Sequence, residues 1–348
     1  MKIIRYLLFP FSVLYAGIMR LRNIQYNNGS RPITTFDRVV ISVGNLSTGG
    51  TGKTPMIEYL IGRLKDRYKV ATVSRGYGRK TTGERIATPE DTARTLGDEP
   101  LQFYRKFGEE IKVVVGEERI LAIPHLLMDY PETELILLDD AYQHRKVSRD
   151  FNIMLSDFSA PFYRDLVLPA GRLREGRSEA GRADAIVITK CPKTISDSTK
   201  AEIEKEVRAY NSVAPVFFSS IEYGELKPVF NKAKIEKEVA VISAIARPKP
   251  FYEYLEKRFT LMERFEFVDH YNFKSADLDR ILRKLNGKRL SIVTTEKDMV
   301  RLLPFADHPL IRQFNVFYQP IEVSIDRPEI FEKLLLECIE GRKRELNS

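Results

Sequence analysis

Apolar residues in this chain fall into short blocks that alternate between two spacings. Val39-Val40-Ile41-Ser42-Val43 is rich in β-branched residues and almost wholly apolar, as expected of a strand buried on both faces. A few residues on, Met56-Ile57-Glu58-Tyr59-Leu60-Ile61 has helical apolar spacing. The alternation then repeats. It predicts strands at 69–73, 111–115, 134–140, 152–157 and 183–190, an edge strand at 216–218, and helices over 117–130 and 194–210. Such a sequence of elements predicts an α/β fold, with a mainly parallel sheet and helices on both faces. From Ile221 to Glu238 the pattern becomes short, charged and extended, which suggests a linker of β-ribbon type. A second, smaller α/β unit opens at Val239, with a helix near Ala276–Leu285, a strand over 290–295 and a surface helix over 328–344. The organisation expected is an N-terminal helix in 1–30, a core in 31–220, the linker in 221–238 and a C-terminal lobe in 239–348.

The turn after the first block carries the chemistry. Gly44-Asn45-Leu46-Ser47-Thr48-Gly49-Gly50-Thr51-Gly52-Lys53-Thr54-Pro55 stands between a strand and a helix, the order of a phosphate-binding loop. Its glycines let successive N–H groups turn toward phosphate oxygens, and the helix adds its positive end. Lys53 is placed to reach the β- and γ-phosphates and Thr54 to meet Mg²⁺. The usual first glycine of the pattern is replaced by Ser47. A second block, Leu135-Ile136-Leu137-Leu138-Asp139-Asp140, is a buried strand ending in carboxylates. This is the magnesium-side partner of such a loop.

The N-terminus changes the picture again. Residues 1–35 hold Lys2, Arg5, Arg20, Arg22 and Arg31 and no acidic residue. The apolar run Tyr6–Met19 falls short of the about 20 residues a spanning helix needs. It suits a helix lying in one leaflet with basic residues among the headgroups, a monotopic anchor, with a docked core helix as the main rival. Arg20 and Arg22 directly after the run, without a small-residue cleavage site, argue against a secretory signal. The formal charge of +8 favours anionic partners. Two cysteines and four histidines, none closely paired, provide no disulfide framework and no His-built metal site.

Phosphoryl transfer also needs a group to take the proton of the attacking hydroxyl. Asp98, Glu99, His144 and His270 are candidates, and spacing does not choose among them. Arg172, Arg174, Arg177 and Arg182 form a guanidinium-rich stretch suited to phosphate. Arg75 and Tyr77 lie in a basic, glycine-punctuated turn after the 69–73 strand, where ligands gather in open α/β sheets.

Taken in order, VGNLSTGGTGKTP, SRGYGR, GDEP, LDDAYQH, LPAGRLRE, VDHYNF and TTEKD resemble the tetraacyldisaccharide 4'-kinase (lipid A 4'-kinase) family over nearly the whole chain. The resemblance implies a P-loop NTPase-like kinase. It would use ATP and Mg²⁺ to phosphorylate the 4'-hydroxyl of a tetraacylated glucosamine disaccharide 1-phosphate, on the cytoplasmic face of the bacterial inner membrane. It implies Ser47, Thr48, Gly49, Gly50, Thr51, Gly52, Lys53, Thr54 and Pro55 as the nucleotide loop, Asp98 as the base and His270 as its partner. Asp139 and Asp140 would serve the metal with Thr54, and Glu175 would lie close to it. Arg75, Tyr77, Arg174 and His144 would contact substrate. The anchor would meet anionic inner-membrane lipids, with neither nucleic acid nor an obligate protein partner involved. The family's DDGFQH reads DDAYQH here, with Ala141 for Gly and Tyr142 for Phe, which matters if that backbone needs positive φ. A regulatory or partitioning-type P-loop ATPase at the membrane is the alternative, but it would carry a lysine where Thr48 stands. A GTP-driven metal-insertion factor would want clustered Cys or His and a guanine motif. A nucleic-acid ATPase would want basic stripes with interleaved aromatics.

Overall fold

The computed structural model describes residues 2–230 and 234–348, so Met1 of the expected anchor and residues 231–233 of the expected linker lie outside it. A 26-residue helix, α1 (Lys2–Asn27), leads into β1 (Val39–Asn45), α2 (Lys53–Leu64) and β2 (Val70–Ser74). Next come β3 (Arg85–Ile86), α3 (Ala93–Leu96), α4 (Asp98–Phe107), β4 (Lys112–Val115), α5 (Arg119–Asp129) and β5 (Leu135–Asp139). β6 (Phe151–Asp157), β7 (Ala185–Thr189), α6 (Asp197–Arg208) and β8 (Val216–Tyr223) follow. The chain then runs through β9 (Lys227–Pro228), β10 (Glu238–Ser243), α7 (Lys249–Glu256), β11 (Thr260–Glu266) and α8 (Ser275–Leu285). It ends with β12 (Ser291–Thr295), α9 (Glu296–Leu302), α10 (Pro309–Gln313), β13 (Val316–Gln319), β14 (Ile321–Ile325) and α11 (Pro328–Asn347).

Nine strands form one sheet in the order β14-β8-β7-β6-β1-β5-β2-β4-β3, parallel except at its two edges. This is a P-loop NTPase-like α/β fold. Alternate residues of its central strands point to opposite cores. Ile41, Val43, Leu137 and Val187 meet Met56, Leu60 and Ile61 of α2, while Val40, Val73, Ile136 and Leu138 meet Ala122, Ile123 and Leu126 of α5. A second sheet, β11-β10-β12-β13-β9, has α8 on one face and α7 on the other.

The C-terminal 27 or so residues do not stay in the second lobe where sequence adjacency places them. β14 pairs antiparallel with β8 in the first sheet, and α11 buries Phe331, Leu335 and Ile339 in the core beneath α2. These residues repeat at a four-residue spacing, so they form one apolar stripe that needs a sheet face, and the first sheet supplies it. Two chain segments therefore cross between the lobes side by side. Gly224 N donates to Pro320 O at 3.1 Å, and Gln319 Nε2 donates to Gly224 O at 2.7 Å.

Helix α1 touches the rest of the molecule at few places. Ser12, Asn23 and Tyr26 are buried, while Leu7, Phe11, Leu14, Ile18 and Leu21 are 56–69% exposed along one stripe. Among the described residues, no helix is long and apolar enough to cross a membrane.

Candidate active site

The turn between β1 and α2 is shaped by glycine. Gly49 and Gly52 take φ of 101° and 87°, where any side chain is strained. A Cβ built on Gly49 or Gly50 meets nothing within 4 Å, so that face of the loop is open for approach to backbone N–H groups. The loop is pinned from behind. Thr189 Oγ1 donates to Thr51 O at 2.8 Å, and the Lys190 ammonium donates to Gly50 O. Thr48 N donates to Arg172 O and Arg174 N to Leu46 O, both at 2.7 Å, with Ser47 bridged to Leu173 between them. Ser47 thus occupies a ladder-like position outside the left-handed region, and glycine is not required there. Lys53, Thr54 and Pro55 open α2.

β1 and β5 are parallel neighbours with Val43 opposite Asp139, which sets both carboxylates beside the loop. Lys53 Nζ lies 3.6 Å from Asp140, and Arg174 grips the same carboxylate at 3.1 and 3.3 Å. Burial alone would raise the Asp140 pKa, but Lys53 and then Arg174 hold it below the usual carboxylate range. Asp139 goes the other way. Burial first, then the Glu99 and Asp140 carboxylates, push it up to about 7, and its Oδ1 is buried without a hydrogen-bond partner. An orphan oxygen on a desolvated carboxylate suits a cation. Mg²⁺ takes one or two carboxylates with water and phosphate oxygens, so Asp139, Asp140 and Thr54 fit it without a larger cluster. Among the described residues no group of three or more His, Cys, Asp or Glu forms one.

Two expected site residues are engaged with protein partners. Glu175, expected near the metal, is fully buried with its charge spent elsewhere. It pairs with Arg182, accepts from Asn23 Nδ2 at 3.1 Å, and lies 3.8 Å from Arg22. Successive residues of an extended stretch point to opposite sides, so Arg174 faces the phosphate loop and Glu175 faces helix α1. Arg174 itself, expected at the substrate, is paired with Asp140.

Asp98 opens α4, and its partners come from the second lobe. Its Oδ2 lies 3.2 Å from His270 Nδ1 and 2.5 Å from Arg301 Nη2. The Lys297 ammonium lies 2.9 Å from His270 Nε2, and with Nε2 as the acceptor Nδ1 carries the proton toward Asp98; Arg301 Nη2 lies 3.3 Å from that same Nδ1. Burial opposes ionisation of Asp98, but the bonds from His270 and Arg301 outweigh it and leave its pKa at about 2. Next to it, Glu99 lies 3.9 Å from Lys297 and acts on Asp139, so the base candidate and the metal-side carboxylate border one space.

Glycine locks the loop after β2 against the start of α4. A Cβ on Gly97 would sit 2.8 Å from Tyr77 O, and one on Gly76 2.6 Å from Leu96 O. This close approach places the exposed Tyr77 ring 5.7 Å from the His270 ring, edge-on. Arg75 is exposed on the same loop. His144 lies near Arg119, with Nε2 buried and unpartnered. Burial, then the Arg119 guanidinium, lower its pKa to about 4, so it is neutral.

The profile of the tetraacyldisaccharide-1-P 4'-kinase family matches residues 4–340. The chain belongs to that family. It is similar to the tetraacyldisaccharide 4'-kinase of Flavobacterium johnsoniae, 43% identical over 346 residues that cover 97% of this chain and 98% of the relative. It is 40% identical to that of Cytophaga hutchinsonii, with 99% of each covered. A crystal structure described as the "apo" form of LpxK from Aquifex aeolicus in complex with ATP superposes with a TM-score of 0.76 at 31% identity, covering 97% of this chain and 99% of that one.

The departure from the 4'-kinase pattern is harmless to the backbone. Positive φ falls on Asp140, at 47°, and not on Ala141, so alanine there costs no strain. The hydroxyl of Tyr142 donates to Glu179 O at 2.7 Å, and its ring lies against the Arg182 guanidinium. Three charged residues at the site were not among the expected functional residues: Arg119, Lys297 and Arg301. Lys297 lies inside a quoted motif, and Arg301 falls one turn after TTEKD. Glu99, a base candidate from the sequence, borders Asp139 instead. Arg119, buried near Asp139 and Asp140, had one signal, its place at the helix start after β4.

Proposed function

We propose that this kinase moves the γ-phosphoryl group of ATP to the 4'-hydroxyl of a tetraacylated glucosamine disaccharide 1-phosphate. The observation that carries the proposal is the placement of an ionised, partnered carboxylate, Asp98, next to the Glu99–Asp139 edge of the phosphate loop. A switch ATPase has no use for a proton acceptor beside an exposed aromatic and an arginine. In this mechanism the backbone of 47–52 and Lys53 orient the triphosphate, and Lys53 spreads its charge over the transferring group. Asp139, Asp140 and Thr54 would hold Mg²⁺, which supplies charge neutralisation at the phosphates. Both Asp98 bonds fall on Oδ2, so Oδ1 is the atom that receives the hydroxyl proton as the new O–P bond forms. A weakly basic carboxylate suffices because the transition state is loose and the hydroxyl becomes acidic only as bonding proceeds. Arg75, Tyr77 and His144 form the substrate-side surface. Incubation with labelled ATP and the disaccharide 1-phosphate should produce a doubly phosphorylated lipid. ATP hydrolysis without lipid product would refute the proposal.

The acyl chains of such a substrate reside in a bilayer, and helix α1 suits that surface. Its exposed stripe and the exposed Arg5 and Arg20 support a monotopic seat on anionic lipid, at the cytoplasmic face of the inner membrane. Replacing Leu7, Phe11 and Leu14 together by serine removes about 1.5 kcal/mol of apolar transfer each. Cosedimentation with anionic vesicles should fall at least a hundredfold, at roughly tenfold per 1.4 kcal/mol. Unchanged cosedimentation would refute the seat.

A further inference from the structure

We infer that Arg301 is a positioning residue for phosphoryl transfer, acting from the second lobe to hold Asp98 by one oxygen and keep the other free. The inference rests on Asp98 as proton acceptor and adds a residue that no motif assigned.

Arg301 sits on α9, and its side chain is 2% exposed. Nη2 donates to Asp98 Oδ2 at 2.5 Å, while Nη1 donates to Asp298 Oδ1 at 2.8 Å and to Ala244 O at 3.3 Å. One guanidinium thus joins a carboxylate of each lobe. Asp298 is fixed in turn, because its Oδ2 accepts from Ala244 N at 2.9 Å and from Thr295 Oγ1 at 2.7 Å. Ala244 O also accepts from His270 N at 3.3 Å, so one backbone position ties Arg301 to His270. Apolar contact supports the seat. Val300, the residue before Arg301, is buried with Leu101 of α4 in a cluster shared by the two lobes.

A plain inter-lobe ion pair would be a weak reason for burying a guanidinium, since desolvation offsets much of what a buried pair gains. Two features favour a role in the reaction. Arg301 Nε is buried without a partner, so the group is oriented toward the two carboxylates at the expense of its own satisfaction. The contact with Asp98 uses the same oxygen as His270, and the planar fork, anchored on Asp298 through Nη1, fixes where Nη2 points as a freely rotating ammonium cannot.

The test is kinetic, in the full chain with ATP and the lipid acceptor. Arg301→Met should lower kcat by about a hundredfold, within the range of a general base's contribution, while KM for ATP changes less than about threefold. Arg301→Lys should recover about tenfold of that loss, and it serves as the test if the methionine variant does not fold. In an Asp98→Asn background the same Arg301 change should cost almost nothing more, because the two act as one unit. Losses that multiply in the double variant, or a loss confined to KM, would overturn the inference and leave Arg301 a scaffold residue. Full turnover in Asp98→Asn alone would instead overturn the assignment of Asp98.

Discussion

The phosphate cradle and Asp98, the proposed proton acceptor, face the same space, yet they are built in opposite ways. The cradle comes from one sheet: residues 47–55 follow β1, Asp139 and Asp140 end the neighbouring strand, and the 172–174 strap ties the loop to its own lobe. Parallel-strand register sets every distance in it. The acceptor is assembled from both lobes. Asp98 meets His270 across 172 residues of chain and Arg301 across 203, and neither contact exists unless α9 is seated on α4. A cradle of this kind is present whenever the first lobe is folded, whereas the acceptor is complete only when the lobes are docked. Nucleotide binding and phosphoryl transfer should therefore be separable by mutation.

Lys53→Ala and Asp98→Asn test that separation most sharply. Removal of Lys53 should cost about a thousandfold in turnover and weaken ATP binding as well, since the ammonium serves ground state and transition state alike. Asp98→Asn should cost about 10²–10⁴-fold in turnover with ATP affinity nearly intact, read by titration with a non-hydrolysable ATP analogue. If Asp98→Asn loses ATP in step with activity, the two regions are not independent. A smaller effect belongs to His270→Ala, about ten- to hundredfold in kcat with less change in KM. A change confined to KM would make His270 a substrate contact and not the partner that orients Asp98.

The same contrast explains what the sequence could reveal. Local order carries the phosphate loop: a β-branched block, three glycines, Lys-Thr and a helical block are contiguous, and the acid strand announces itself as four apolar residues ending in Asp139. The parallel α/β fold follows from the same alternation. Arg301 and Lys297 are ordinary charged residues on a short helix, and nothing at helical spacing points from them toward Asp98. Their contacts with Asp98 and Glu99 appear only when the two lobes meet. The partners of Glu175 were hidden for a related reason. Its neighbour Arg174 faces the loop, but a one-residue step turns Glu175 toward Asn23 and Arg22 of a helix some 150 positions earlier in the chain. The return of α11 to the first sheet was hidden because a stripe such as Phe331, Leu335 and Ile339 shows that a helix packs, not on what.

A buried ionic cluster behind the site joins the two regions, and it supplies the smallest predicted effect. Glu58 on the cradle helix α2 accepts from Gln102 at 2.8 Å and Lys106 at 2.7 Å, both on the acceptor helix α4. Lys106 also lies 3.4 Å from Glu296 of α9. Burial raises the Glu58 pKa, and although Lys106 opposes it, Glu296 adds to the rise, which ends at about 7 against an ordinary 4.5. The folded state therefore binds a proton at Glu58 more tightly than the unfolded chain does. The stability this contributes is complete below about pH 4.5 and is lost as pH climbs through 7. Glu58→Gln mimics the protonated carboxyl at every pH. Its Tm should thus gain on that of the parent protein between pH 5.5 and 8.5, by about 3 °C for a chain of this size. Asp139 is raised in the same direction, so part of the parent's slope should survive in the variant. Parallel Tm curves for the two proteins would mean that Glu58 stays ionised, with Lys106 as its full partner. The cluster would then hold the cradle and the acceptor together with the same strength at either end of that pH range.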